Sequence, residues 1–203
     1  MTAEWHDRID ALPGQLTRLV AYLRASGYRF AEPKAVLPGP SQDTEQQLRR
    51  IEQLVAGVPA ALAHFHRTVG SVDLRGAHPA WHGCDRSDAL VVEPIAAVVE
   101  EAEQYAELEN PAEEYWASES GVFRAPIAPD DYHKANMSGG MWLGVEIPNA
   151  EADPVVLEER HGLPFTLYLD LVLAWGGFLG LETVKEHTWP LEDLKVAASR
   201  AEG

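Results

Sequence analysis

Ile51-Glu52-Gln53-Leu54-Val55-Ala56-Gly57-Val58-Pro59-Ala60-Ala61-Leu62-Ala63-His64-Phe65-His66-Arg67-Thr68-Val69-Gly70-Ser71-Val72-Asp73-Leu74 changes its backbone period twice within one stretch. Its opening residues complete a run in which Leu48, Ile51, Leu54 and Val55 share one helical face. Gly57 stops that helix. Pro59 suits the first turn of the next, where its fixed φ and missing N–H cost nothing. Leu62 and Phe65, three apart, give the second helix its inner stripe. Gly70 releases the chain, and Val72-Asp73-Leu74 then alternates as a strand does. Helix, corner, helix and strand in this order point to an α+β protein.

Working outward, residues 13–26 place Leu16, Leu19, Val20 and Leu23 at helical spacing and stop at Gly27. A Pro- and Gly-containing connector, 32–40, leads to Ser41 or Asp43 as the cap of the helix described above. Beyond the strand at 72–74, residues 89–93 form a compact β-like run closed by Pro94. Residues 95–108 return to helix, with Ile95, Val98, Val99, Ala102 and Ala106 inward and Glu100, Glu101, Glu103 and Glu107 outward. Strands are expected at 121–127, 141–147 and 154–157, with turn residues between them. Pro164 opens the most apolar helix, 165–175, which Gly176-Gly177 ends, and 191–199 closes the chain as an amphipathic helix. The expectation is one α+β domain with a mixed or mostly antiparallel sheet packed by helices. Within it 1–40 is a helical extension, 41–180 the core and 181–203 a C-terminal segment.

The opening stretch resembles the core signature of the SUKH superfamily, through Glu52, Gly57, Pro59, Leu62, Phe65 and Gly70. The paired glycine or Asn-Gly common at its turn is Gly70-Ser71 here. The helix at 165–175 followed by Gly176-Gly177-Phe178 is similar to the closing helix of that group. The resemblance implies a non-enzymatic α+β fold. Many bacterial relatives are immunity proteins that neutralise toxin domains, often nucleases, and others are scaffolds.

The chain has 203 residues, enough to bury roughly 70% of its unfolded surface without staples. Its single cysteine, Cys84, excludes an internal disulfide framework and fits a reducing compartment. The N-terminus lacks a secretory pattern, and no apolar run is long enough for a membrane span, so the expected location is the cytoplasm. The net charge of −16 is segregated: residues 1–90 hold ten acids and ten bases, whereas 91–203 hold twenty-two acids and six bases. Such a field disfavours nucleic acid and anionic membrane as ligands and suits a basic protein.

The loop at 78–88 gathers His78, His82, Cys84 and Asp85, the residue types that bind zinc or iron. Their spacing matches no established site, and Pro79 prevents a helix that would align His78 with His82. Cys84 lacks the setting that lowers a thiol pKa, and Asp85 beside it acts the other way. His64 and His66, two apart on a helix, face different sides. Gly139-Gly140 and Gly176-Gly177 lack phosphate-loop spacing, and Asp130-Asp131 reads as a solvated turn after Pro129. No cofactor, catalytic set or metal set is therefore expected; a metal-dependent hydrolase or small-ligand enzyme built on this loop is the alternative. A homo-oligomeric scaffold with Trp142 and Trp175 at its interface is a further one.

The acidic segment 100–119 interleaves its carboxylates with Tyr105, Tyr115 and Trp116. Aromatic anchors ringed by complementary charge are what protein interfaces use. Glu109, Glu113, Glu114, Tyr115 and Trp116 are thus the expected contacts to a basic, toxin-like protein.

Overall fold

A computed structural model describes residues 3–109 and 121–200. Helix α1 (Ala3–Ser26) runs straight through Pro13, which the sequence reading places at a helix start. Pro13 forfeits one backbone hydrogen bond. Trp5, Ile9 and Leu12 before it, and Leu16, Leu19 and Leu23 after it, are all buried, and that shared apolar stripe carries the helix across. Strand β1 (Arg29–Phe30) follows, then α2 (Thr44–Leu54) and α3 (Ala60–Thr68). Pro59 sits at the α3 N-cap, and Leu62 and Phe65 are fully buried, as their spacing requires.

Gly70 makes the turn out of α3 at φ +85°, and a Cβ there would stand 2.2 Å from the Gly39 carbonyl oxygen. Neither the backbone angle nor the space admits a side chain. The chain then forms β2 (Val72–Asp73), β3 (Gly76–Ala77) and β4 (Val91–Val92), followed by α4 (Ile95–Ala106). Next come β5 (Phe123–Ala128), the short α5 (Asp131–Lys134) and β6 (Leu143–Ile147). Helix α6 (Phe165–Ala174), a 3-10 turn (Leu179–Thr183) and α7 (Leu191–Ala198) complete the fold.

Among the described residues three strand pairs form, all antiparallel: β1 with β3, β2 with β4, and β5 with β6. Phe123 lies opposite Ile147 and Ala125 opposite Val145, with a bulge between Pro126 and Ala128. The Glu93 N–H donates to the Ile127 carbonyl, joining the end of β4 to β5, and Gly144 bridges to Leu157 beyond β6. Every residue of β5 is buried, because α4 packs across it. Helix α1 packs on α3, α6 and α7, so the N-terminal helix shares one core with the sheet. Gly176 and Gly177, both at positive φ, end α6, and the Gly177 carbonyl accepts from the Leu90 N–H.

His66 lies inside this core. Its Nδ1 is 2.8 Å from the Gly70 carbonyl, while Nε2 has no partner among the described residues. Burial pushes its pKa down to about 4, although the Gly70 carbonyl opposes the shift. In the unfolded chain the same imidazole takes its proton near 6.5, so the unfolded state binds more protons between the two values. Stability is therefore full above that window and falls as pH drops through it, by about 3 kcal/mol at most. In urea titrations at about pH 7 and about pH 4.5, His66→Gln should lose markedly less stability on acidification than the parent chain. Equal losses would show that His66 is not the responsible group.

Candidate functional site

Two regions collect chemistry: the outer face of α4 and a cleft beside the 78–88 loop. On α4, Ile95, Val98 and Ala102 face the core, and Glu100, Glu103 and the C-cap residue Glu107 are exposed. Ala106, expected inward, is exposed as well. Glu103 pairs with Arg50 of α2 at 2.8 Å. Glu100, Glu107 and the exposed Glu109 carry no ion pair among the described residues. Glu101 is half-buried; burial and then the Glu100 carboxylate raise its pKa. Of the expected partner contacts, Glu109 is placed here, and Glu113, Glu114, Tyr115 and Trp116 lie outside the described residues.

The acids elsewhere in the second half are largely engaged. Asp131 pairs with Arg86, Glu158 with Arg124, Asp170 with Arg200 and Glu192 with Lys195. Glu159, its side chain 2% exposed, holds His161 Nδ1 at 2.5 Å, and Glu182 takes His161 Nε2 at 3.1 Å. Burial lowers the His161 pKa, but the two carboxylates outweigh it and raise it overall.

The cleft has a volume of about 700 Å³. Arg29, Arg75, Gly76 and Ala77 from the β1–β3 ribbon line it, as do Cys84, Asp85 and Asp88 from the loop and residues 133–136 at the end of α5. Its aromatic lining is Trp81, with the His78 ring stacked 4.4 Å away and Trp189 at 5.1 Å. His78 Nδ1 accepts from the Ala80 N–H, so its Nε2 proton goes to the Ser26 carbonyl at 2.8 Å. Both ring nitrogens are thereby engaged, which leaves His78 no lone pair for a metal. Cys84 Sγ donates to the Arg86 carbonyl; burial, with a smaller push from Asp85, raises its thiol pKa. A raised thiol pKa is the opposite of what a nucleophile needs. Thr188 fixes the loop by donating to the Ala80 carbonyl and accepting from the His82 N–H. Among the described residues no three His, Cys, Asp or Glu side chains are grouped to hold a metal ion.

Below the cleft, Lys134 Nζ lies 2.7 Å from Asp88 Oδ1, with the lysine side chain 2% exposed. Burial depresses the Lys134 ammonium, but Tyr168 and Asp88 beside it hold its pKa above the ordinary lysine value. Nothing in the sequence announces this pair, since 46 residues separate its members. Asp130, read from sequence as part of a solvated turn, is buried and caps α5. It accepts from the His133 and Gly140 N–H groups and from the His133 ring. Burial raises the Asp130 carboxyl, and these donors more than offset it, holding it below the usual carboxylate range.

Trp142 and Trp175 are each partly buried, and Lys195 Nζ covers the Trp175 ring at 5.0 Å. None of the described helices is long and apolar enough to cross a membrane. No protein-family model, no curated protein and no solved structure matches the chain.

Proposed function

We propose that this chain is a non-enzymatic, SUKH-like binding protein that engages a basic protein through the acidic outer face of α4 and the segment that follows it. The observation that carries the reading is the unneutralised charge at Glu100, Glu107 and Glu109. Among the described residues, most acids elsewhere in the same half are held in ion pairs or hydrogen bonds, whereas these three lie together on one helix and just past its end. Exposed charge of one sign accelerates encounter with an opposite surface and fixes its orientation. Within the SUKH resemblance such a partner is a toxin-like, nuclease-type domain, and the chain is its immunity protein. The loop at 78–88 supports binding over catalysis. His78 is committed to two backbone groups and the Cys84 thiol is held protonated, so neither is poised as base or nucleophile.

The tagged full chain, applied to lysate at about 50 mM salt, is expected to retain a basic protein and to release it as the salt rises several-fold. The triple variant Glu100→Lys, Glu107→Lys, Glu109→Lys should fail to retain it. Retention that is indifferent to both salt and the triple variant would overturn the assignment.

A further inference from the structure

The cleft beside the 78–88 loop presents unmatched charge of both signs around an aromatic surface. Arg29 projects from β1, exposed, and its side chain makes no ion pair or hydrogen bond among the described residues. Asp85, on the loop, is exposed and equally unengaged. Of the other charges at the cleft, Arg75, Asp88 and Lys134 already have partners, and the side chain of the exposed Glu32 makes no ion pair or hydrogen bond among the described residues. Asp73 binds Nε and Nη2 of Arg75, with Glu32 within electrostatic reach of the same guanidinium, and Asp88 holds Lys134. Trp81 is half-buried, and His78, Tyr28 and Trp189 pack around its ring and fix it. Surfaces held this way need little reordering when a ligand arrives.

The sign of the ligand follows from these groups. A simple anion would meet Arg29 but also Asp85 and the field of a chain of net charge −16. A simple cation would meet Asp85 but also Arg29. A molecule that is neutral overall and carries both charges satisfies each group with its opposite. A flat apolar portion finds its place on the Trp81 ring. The volume of about 700 Å³ falls in the range of small-molecule sites. We infer that this cleft binds a small zwitterion bearing a planar apolar group, of the aromatic α-amino acid class, with its carboxylate on Arg29 and its ammonium on Asp85. No residue of α4 lines the cleft, so the inference stands or falls separately from the acidic face.

Titration calorimetry with L-phenylalanine, its methyl ester and its N-acetyl derivative tests the assignment. The amino acid should bind saturably at one site, and each derivative, having lost one charge, should bind about tenfold more weakly. Arg29→Gln should weaken the amino acid by a similar factor and leave the ester unchanged. Asp85→Asn should weaken the amino acid and leave the N-acetyl compound unchanged. Both positions are exposed, so both variants should keep the parent's circular dichroism spectrum. Absence of saturable binding by all three compounds would overturn the inference. So would equal binding of the three, or indifference of the amino acid to both substitutions.

Discussion

Asp88→Asn is expected to lower folding stability by about 3–5 kcal/mol, the cost of leaving a buried ammonium without its counter-ion. Lys134 is enclosed, and its Nζ meets the Asp88 carboxylate at 2.7 Å. That contact ties the end of α5 to the loop that forms one side of the cleft. Asp88 adopts φ 47°, a left-handed backbone that asparagine tolerates as readily as aspartate. The substitution therefore removes charge while keeping shape and backbone. In the variant the unpaired ammonium sheds its proton more easily, so the folded-state pKa drops and the deficit shrinks as pH rises. Adding Lys134→Met should recover most of the loss, because an apolar chain of similar length needs no counter-ion. Urea unfolding of the two single variants and the double one measures this. A loss under about 1 kcal/mol for Asp88→Asn would mean the pair behaves as a surface salt bridge.

Phe65→Ala should be comparably damaging, at about 3–5 kcal/mol, through the cavity it leaves. Phe65 is fully buried and meets the Phe165 ring edge-on at 5.5 Å, so one side chain pins α3 to α6. For a chain of this size the loss corresponds to a melting point lower by roughly 10 °C. Phe65→Leu should recover about half of it, since an apolar side chain refills most of the space. A shift of only a degree or two in Phe65→Ala would show that the α3–α6 contact is not central to the core.

The α+β class and most elements were legible because their signals are local. Pro59 and Gly70 mark the α2–α3–β2 turns by backbone chemistry alone, and Leu62 and Phe65 mark the buried face by period, whereas α2 ends at Leu54, ahead of the Gly57 expected to stop it. Local signals misled at Pro13, where tertiary burial on both sides overrides a helix breaker. They were silent at β1 and β3, two residues each, too short to alternate. The buried polar groups were the least legible. Asp130 belongs to a solvated turn by composition, and only the return of Gly140 over its carboxylate makes it a buried cap. The Asp88–Lys134 pair depends on a loop and the end of α5 meeting in space, which neither segment encodes by itself. The acidic face was legible as a count of charges. What the structure adds is which acids are already neutralised by neighbours.

A basic protein that responds to total charge alone would not distinguish Glu100, Glu107 and Glu109 from any other acids. Asp7, Glu151 and Glu186 are also exposed and without ion pairs among the described residues, and none lies on α4. Reversing these three to lysine changes the net charge by the same amount as reversing Glu100, Glu107 and Glu109. The decisive measurement is the equilibrium affinity of both triple variants for the retained basic protein at low salt. Reversal of Glu100, Glu107 and Glu109 should abolish binding, while reversal of Asp7, Glu151 and Glu186 should leave it close to that of the parent chain. Equal losses from the two sets would contradict a specific acidic surface, because the partner would then be reading net charge alone.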